Sequence, residues 1–201
     1  CAGCHWLRTI FAPGTGIWDS TVNVVETQLP GVLIIEPDVF GDHRGFFKET
    51  FQIERYQEAG IDLPFVQDNH SRSQRGVLRG LHWQKTRPQG KLVSCSLGTV
   101  FDVIVDVNPS SETFGTYVGL ELSDTNHRQL WIPPGYAHGF CVLSETADFQ
   151  YKCTDLFFPE DEGGLIWNDL EVSIEWPVES PKLSEKDLSL PTLDEIRRGA
   201  A

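Results

Sequence analysis

The sequence predicts an all-β fold, a sandwich or a barrel, and three observations support this. Short apolar segments recur at spacings of about 8 to 12 residues, with Gly, Pro, Asn or Ser between them. The 18 Gly and 12 Pro are spread along the chain, which favours many short elements joined by turns. The segment 101–107 alternates strictly, with four apolar side chains on one face and Asp102 and Asp106 on the other. This period of two residues is that of a β-strand.

The elements follow from these patterns in chain order. A short apolar run at 32–36 is closed by Pro37, and the next strand follows the glycine-containing turn 41–45. A helix is predicted from Ile53 to Gly60, because glycine commonly ends a helix. The predicted strands cover residues 32–36, 46–51, 65–70, 77–84, 91–97, 100–107, 117–122, 129–132, 138–143 and 147–154.

The C-terminal segment 184–198 has a partly helical pattern. Ser184 stands three residues before Asp187, which resembles a capping box, and Pro191 interrupts the pattern. The first 21 residues show no period and are predicted to be an N-terminal extension to a single domain covering 22–201. Within the extension, Cys1, Cys4 and His5 resemble half of a zinc site, but no second pair with suitable spacing follows.

Composition excludes several classes of function. The chain has 16 basic and 29 acidic residues and a net charge of −13, which argues against a surface that binds nucleic acid or anionic membrane. No apolar stretch is long enough for a transmembrane helix. The 5 cysteines are an odd number, which fits a reducing cytoplasm better than a disulfide scaffold.

Strand parity predicts polar side chains on apolar faces. Lys91 shares its face with Val93 and Cys95, which is costly unless the amine meets a partner, a ligand or water. Tyr151 shares its face with Phe149, and His138 lies on the same face as the apolar residues that follow it. Two interpretations remain open for each of the three side chains. It takes part in function, or it packs in the core or extends to solvent without a functional role.

The segment 65–83 contains the richest set of polar groups. Arg79 and His82 stand in apolar surroundings, and strict alternation would turn them to opposite faces. They can serve one cavity only if Gly80 permits a bulge or bend. A histidine can act as a general base and needs an orienting carboxylate, for which Asp169 and Asp187 are both suitable by type. A metal site is disfavoured, because the chain lacks the closely spaced histidine pair that metal-binding β-barrels use.

Together these segments resemble the dTDP-4-dehydrorhamnose 3,5-epimerase family, also called the RmlC family, over about Val24 to Asp187. The matching motifs lie at residues 40–47, 65–71, 76–82, 89–93, 131–140, 151–152, 166–169 and 183–187. The resemblance implies a cupin-type jelly roll with a few short helices. It also implies an isomerase that inverts C3 and C5 of dTDP-4-dehydro-6-deoxy-D-glucose, giving dTDP-4-dehydro-L-rhamnose for cell-surface polysaccharide.

The resemblance also implies roles for individual residues. His82 matches the base, Asp187 its orienting carboxylate, Lys91 the cation beside the developing enolate, and Tyr151 the acid on the opposite ring face. The positions that match substrate contacts are Arg44, Glu49, Gln67, Asn69, Arg79, His138, Glu162 and Lys186. Among these, the guanidinium groups of Arg44 and Arg79 suit the pyrophosphate.

The resemblance implies a cytoplasmic homodimer that needs no metal and no dissociable cofactor. Two alternatives remain open at the level of sequence. The first is an epimerase of a single centre, or a ketoisomerase, acting on a related sugar nucleotide. The second is a non-catalytic cupin that binds a sugar nucleotide, and a metal-dependent dioxygenase-type cupin is disfavoured further by the missing ligand spacing.

Overall fold

A computed structural model describes residues 9–10 and 22–199 of the chain. Two antiparallel sheets face each other, and a separate hairpin and three short α-helices complete the fold. The strands are β1 Thr9–Ile10, β2 Asn23–Glu26, β3 Leu33–Glu36, β4 Val39–Asp42, β5 Gly45–Lys48, β6 Gln67–Gln74, β7 Leu78–Gln84, β8 Lys91–Leu97, β9 Thr99–Asp106, β10 Tyr117–Ser123, β11 Gln129–Ile132, β12 Tyr136–Val142, β13 Thr146–Cys153 and β14 Glu162–Gly164. The helices are α1 Ile53–Glu58, α2 Glu185–Leu188 and α3 Leu193–Arg197, with one 3₁₀ turn at Pro159–Asp161.

The larger sheet has seven strands in the order β1-β2-β3-β11-β8-β13-β6, and the smaller has five in the order β10-β9-β12-β7-β14. A main core fills the space between them. It contains Val93 of β8 and Phe149 of β13 from the larger sheet, and Ile104 of β9 and Phe140 of β12 from the smaller sheet. Side chains that point inward from either sheet therefore meet in one interior.

The outer faces of both sheets are also covered. The C-terminal segment packs Leu193 and Ile196 against Val103 and Val105 on the outside of the five-stranded sheet. Helix α1 places Tyr56 near Trp131 and Leu92 on the outside of the seven-stranded sheet. The strands of both sheets can therefore be apolar on both faces.

The all-β jelly-roll prediction is confirmed, and most predicted strands agree with the structure to within about two residues. Strands β2, β4 and β14 were not predicted individually, since each has only three or four residues. The predicted extension lies outside the described residues apart from β1, which pairs with β2 at the sheet edge. Cys1, Cys4 and His5 also lie outside them. None of the helices in the described part of the chain has the length and apolar character needed to cross a bilayer.

Candidate active site

A cavity of about 490 Å³ lies between the two sheets, next to α2. Arg79 and His82 of β7 and His138 of β12 line it from the five-stranded sheet, and Lys91 of β8 and Tyr151 of β13 line it from the seven-stranded sheet. A ligand in this cavity is thus enclosed from two opposite sides. A second cavity of about 210 Å³ is also lined by His82, Lys91 and Tyr151, so these three side chains stand where the two cavities meet.

A β-bulge brings Arg79 and His82 into the same cavity. His82 pairs with His138 and Arg79 pairs with Phe140, so two residues of β7 oppose the single residue Gly139 of β12. Gly80 occupies the bulge with φ +118°, and a Cβ there would lie 2.6 Å from the Cα of Gly139. The bulge at Gly80 cancels the alternation that would otherwise turn Arg79 and His82 apart.

The carboxylate that contacts the His82 imidazole is that of Asp187. His82 Nε2 lies 2.7 Å from Asp187 Oδ1, and Asp187 is buried while the imidazole is partly exposed to the cavity. Ser184 caps α2 by accepting a hydrogen bond from the Asp187 backbone N–H at 3.1 Å. The Asp187 side chain, in contrast, is directed to His82, so only half of the predicted capping box forms. The helix start thereby aims a carboxylate at the imidazole.

Asp169, the other carboxylate considered for this role, has a structural position. Its Oδ1 accepts hydrogen bonds from the backbone N–H groups of Glu171 and Val172, and its Oδ2 accepts one from that of Leu193. All three lie between 2.8 and 3.0 Å, which leaves the carboxylate engaged in holding the C-terminal segment.

Glu162 and Lys186 border the other edge of the imidazole. His82 Nδ1 is 3.5 Å from Glu162 Oε1, and the Lys186 ammonium donates to both oxygens of Glu162 at 3.0 and 2.9 Å. Since Nε2 of His82 is occupied by Asp187, Nδ1 is the nitrogen that remains for a ligand.

Burial changes the pKa values of three groups at the site. Burial lowers the pKa of Lys91, and the nearby charges of Cys153, Asp102 and Glu162 oppose this shift only in part. Burial raises the pKa of the Tyr151 hydroxyl, with Arg79 acting in the opposite direction. Burial also favours the neutral form of Asp187, but the hydrogen bonds and charges of His82, Ser184 and Lys186 together lower its pKa.

Asp102 is a residue of this site that sequence reasoning did not select. It is fully buried, and His138 Nε2 lies 3.1 and 3.0 Å from its two carboxylate oxygens. Its strand β9 is buried on both faces. Ile104, on the same face as Asp102, belongs to the main core, and Val103 and Val105 on the other face pack under the C-terminal segment. An isoleucine between the two aspartates was the signal that this face points inward.

The remaining predicted residues fall into two groups. Gln67 and Asn69 line the second cavity together with Glu162, and the Gln67 amide donates to Asn69 Oδ1 at 3.1 Å. Arg44 and Glu49 line neither cavity. Arg44 pairs with Asp42 on the exposed β4–β5 hairpin, and Glu49 pairs with Arg55. Within residues 22–199, no three His, Cys, Asp or Glu side chains gather as a metal site would require.

Comparisons with known proteins agree on one family. Residues 26–195 match the family model described as dTDP-4-dehydrorhamnose 3,5-epimerase. The enzyme of that name from Shigella flexneri is 55% identical over 170 residues, which cover 84% of this chain and 94% of the relative. The one from Pseudomonas aeruginosa is 57% identical over 161 residues, covering 79% and 89%.

A solved structure extends the similarity to three dimensions. It is the dTDP-6-deoxy-D-glucose-3,5-epimerase of Legionella pneumophila, in complex with dTDP-4-keto-L-rhamnose. This chain matches it with a TM-score of 0.86 and 52% identity, over 89% of this chain and 96% of that one.

Proposed function

The chain belongs to the dTDP-4-dehydrorhamnose 3,5-epimerase family, and from this premise we propose that His82 and Tyr151 work on opposite faces of the sugar. The protein is an isomerase that inverts C3 and C5 of dTDP-4-dehydro-6-deoxy-D-glucose to give dTDP-4-dehydro-L-rhamnose. The observation that supports the proposed mechanism is the His82–Asp187 pair at 2.7 Å, which faces Tyr151 across the cavity.

His82 is the base in this proposal. Its Nδ1 takes the proton from the carbon next to the ketone, the C–H electron pair becomes the C=C bond of the enolate, and the carbonyl electrons move to the C4 oxygen. Asp187 orients the ring and stabilises the imidazolium that forms, because its carboxylate is held ionised by its hydrogen bonds. The Lys91 ammonium extends from the seven-stranded sheet, opposite His82, and compensates the negative charge on the C4 oxygen.

Tyr151 is the acid that completes inversion. Epimerisation requires the proton to return on the face opposite to the one that lost it, and one side chain cannot stand on both faces. His82 and Tyr151 project from opposite sheets into the same cavity. The raised pKa of Tyr151 keeps its hydroxyl protonated at neutral pH, as a proton donor requires.

The second cavity is proposed to take the nucleotide part of the substrate. Gln67 and Asn69 supply amide groups there, and the Lys186–Glu162 pair stands at its edge. The Arg79 guanidinium lines the first cavity and is the cation that suits the pyrophosphate.

The test is proton exchange in deuterated water, followed by NMR with dTDP-4-dehydro-6-deoxy-D-glucose. The unmodified enzyme should place deuterium at both C3 and C5 and form the inverted product. His82→Asn should abolish exchange at both centres, because general-base assistance is worth about 10² to 10⁴ in rate. Tyr151→Phe should still exchange deuterium into the starting sugar on its original face while forming little inverted product.

Two results would contradict the assignment of roles. One is near-normal turnover by folded His82→Asn protein. The other is a Tyr151→Phe variant whose ratio of product to exchange equals that of the unmodified enzyme. Exchange at only one ring carbon by the unmodified enzyme would instead favour an epimerase of a single centre.

We further infer a homodimer in the cytoplasm, with a catalytic domain that begins near residue 22. The β4–β5 hairpin exposes Phe40, Phe46 and Phe47 and carries Arg44 outside both cavities. In this dimer, contact with the second copy buries the apolar surface and brings Arg44 toward the partner's nucleotide cavity. The location is supported by Cys95, Cys141 and Cys153, which are buried as free thiols.

A further inference from the structure

The cavity contains a second histidine–aspartate pair beside the first. His138 and His82 are direct partners across β12 and β7, so their side chains project from neighbouring strands to the same side. His82 is held by Asp187, which comes from α2 at the cavity edge. His138 is held by Asp102, which is fully buried behind the imidazole and does not itself line the cavity.

Asp102 is so deeply buried that its carboxylate needs a partner. It is fully buried on a strand whose neighbouring inward residues are apolar, and an isolated ionised carboxylate is very costly there. Its hydrogen-bond partner is His138, through both oxygens at 3.1 and 3.0 Å, and the Lys91 ammonium is the further charge that acts on it. Burial raises the pKa of the Asp102 carboxyl, against the opposing charges of His138 and Lys91, and this favours a pair that holds one extra proton.

The extra proton determines whether Nδ1 of His138, on the side of the ring that faces the cavity, carries hydrogen. If the proton is on His138, both ring nitrogens carry hydrogen. If it is on Asp102, the carboxyl O–H donates to Nε2, and the neutral ring carries its hydrogen on Nδ1. Both arrangements present an Nδ1–H, and among the described residues Nδ1 has no hydrogen-bond partner. His138 lines the cavity, so this donor is available to a ligand.

We propose that Asp102 is a positioning residue of the epimerase, which holds His138 so that its Nδ1–H donates to the C4 oxygen of the substrate. This rests on the proposed function, since the donor matters only if an enolate forms. The C4 oxygen lies between the two carbons that lose protons, and one fixed donor can serve both inversions. Lys91 reaches this oxygen from the seven-stranded sheet and His138 from the five-stranded sheet.

Other titratable groups share the cavity and bear on the proton of the pair. Lys91 favours an ionised Asp102, and burial of the carboxyl acts in the opposite direction. Phe149 stacks on the His138 ring with centroids 6.0 Å apart, and its own ring centroid lies 6.2 Å from that of Tyr151. The remaining titratable groups that line the cavity are His82, Arg79, Lys182, Lys186 and Asp187.

The experiment compares Asp102→Asn with the control Asp106→Asn. Asp106 is a buried aspartate of the same strand, and its carboxylate bonds the hydroxyls of Ser111 and Thr113, away from both cavities. An amide cannot hold the extra proton, so His138 becomes at best a neutral and weaker donor. We expect kcat of Asp102→Asn to fall by about 10- to 100-fold, less than the roughly 10² to 10³ that removal of a whole oxyanion donor costs, with dTDP affinity unchanged. Asp106→Asn should keep its kcat.

A spectroscopic measurement separates this role from a purely structural one. In ¹⁵N-histidine-labelled enzyme with dTDP bound at pH 7.5, the Nδ1 signal of His138 should be that of a nitrogen that carries hydrogen, and this signal should change in Asp102→Asn. The double variant Asp102→Asn/His138→Gln should have nearly the kcat of the Asp102→Asn single variant, because both changes affect the same hydrogen bond to the C4 oxygen.

Three results would overturn the inference. They are unchanged kcat in folded Asp102→Asn, an unprotonated Nδ1 in the unmodified enzyme at pH 7.5, and fully additive losses in the double variant. If Asp102→Asn does not fold, the protonation of Nδ1 in the unmodified enzyme decides alone. Failure of the proposed function would be distinguished by the unmodified enzyme, which would then show no deuterium exchange at all.

Discussion

At the scale of single residues, hydrogen-bond partners determine what chemically identical side chains do. Asp187 and Asp169 are both buried aspartates in the C-terminal part of the chain. Asp187 bonds an imidazole that faces the cavity, whereas Asp169 bonds three backbone N–H groups. The first carboxylate is available to chemistry and the second is committed to structure.

This difference predicts opposite effects for the same substitution at the two positions. Asp187→Asn should lower kcat by about 10² or more, because the imidazolium loses its counter-charge, and should leave the urea midpoint nearly unchanged. Asp169→Asn should keep kcat and lower the free energy of unfolding by about 1 to 3 kcal/mol, because charged acceptors are lost from buried N–H groups. Steady-state kinetics and urea titrations of both variants provide the check. The reverse pattern would mean that Asp169 is the catalytic carboxylate.

The charge of Lys91 should determine how kcat changes on the alkaline side of its pH profile. Burial lowers its pKa below the ordinary value of 10.5, so its charge is present at low pH and is lost as pH rises through that lowered pKa. The pKa of Tyr151 is raised above 10.0, so the hydroxyl stays protonated over the same range. We expect kcat to fall on the alkaline side at a pH below 10.5, and Lys91→Arg to shift that fall upward, because arginine remains charged above about pH 12.

The measurement is kcat against pH for the unmodified enzyme and Lys91→Arg, with Lys91→Ala as the control that should be slow at every pH. An alkaline limb that stays in place in an active Lys91→Arg variant would assign it to another group.

At the scale of elements, the bulge in β7 is the feature on which the site depends. It places Arg79 and His82, three residues apart, on the same side of a strand. Gly80 makes this possible because its backbone approaches Gly139 and the carbonyl of His138, where no side chain fits.

We predict that Gly80→Ala destabilises the fold and reduces activity together. Its Cβ would lie 2.6 Å from the Gly139 Cα and 2.7 Å from the His138 oxygen, at a φ of +118°. The expected loss is about 2 to 5 kcal/mol of unfolding free energy, with kcat reduced because His82 shifts. Gly76→Ala is the control, since Gly76 also has a positive φ, +78°, but nothing lies within 4 Å of its added Cβ. It should cost about 1 to 2 kcal/mol with kcat retained. Equal effects in urea titration and kinetics would argue against the close contact.

At the scale of the whole molecule, the β4–β5 hairpin is a part of the described chain that leaves several large apolar side chains exposed in one copy. All residues from Val39 to Phe47 are exposed, and the exposed fraction of Phe47 is 62%. Lys48 anchors its base through His127, 3.3 Å away, and Phe46 packs against the same imidazole at 4.7 Å. In the proposed homodimer, the second copy buries the remaining exposed surface of the hairpin.

We therefore predict that Phe47→Glu converts a dimer to a monomer, as measured by sedimentation velocity. A buried charge at the interface would be unpaired, which disfavours association. If Arg44 acts in the partner's site, dTDP affinity should fall in the same variant. Leu170→Glu is the control, because Leu170 is 94% exposed and lies outside the hairpin, so association should persist. Unmodified protein that sediments as a monomer would contradict the dimer.

The sequence by itself determined the features that depend on local periodicity. Side chains alternate with a period of two along every strand, so Lys91, Tyr151 and His138 were correctly assigned to faces that the structure turns inward. The helix start at Ser184 was readable because capping involves residues three positions apart. The family resemblance then supplied the activity that periodicity alone could not.

Tertiary structure decided the features that depend on residues distant in sequence. His82 and Asp187 are 105 positions apart, and residue type alone did not separate Asp187 from Asp169. The pairing of Asp102 with His138 requires two strands to be neighbours, which no pattern within one strand specifies. The position of Arg44 outside both cavities likewise follows from how the hairpin leaves the sheets. The physical reason is that alternation and capping act over a few residues, whereas a catalytic contact exists only once the two sheets have packed.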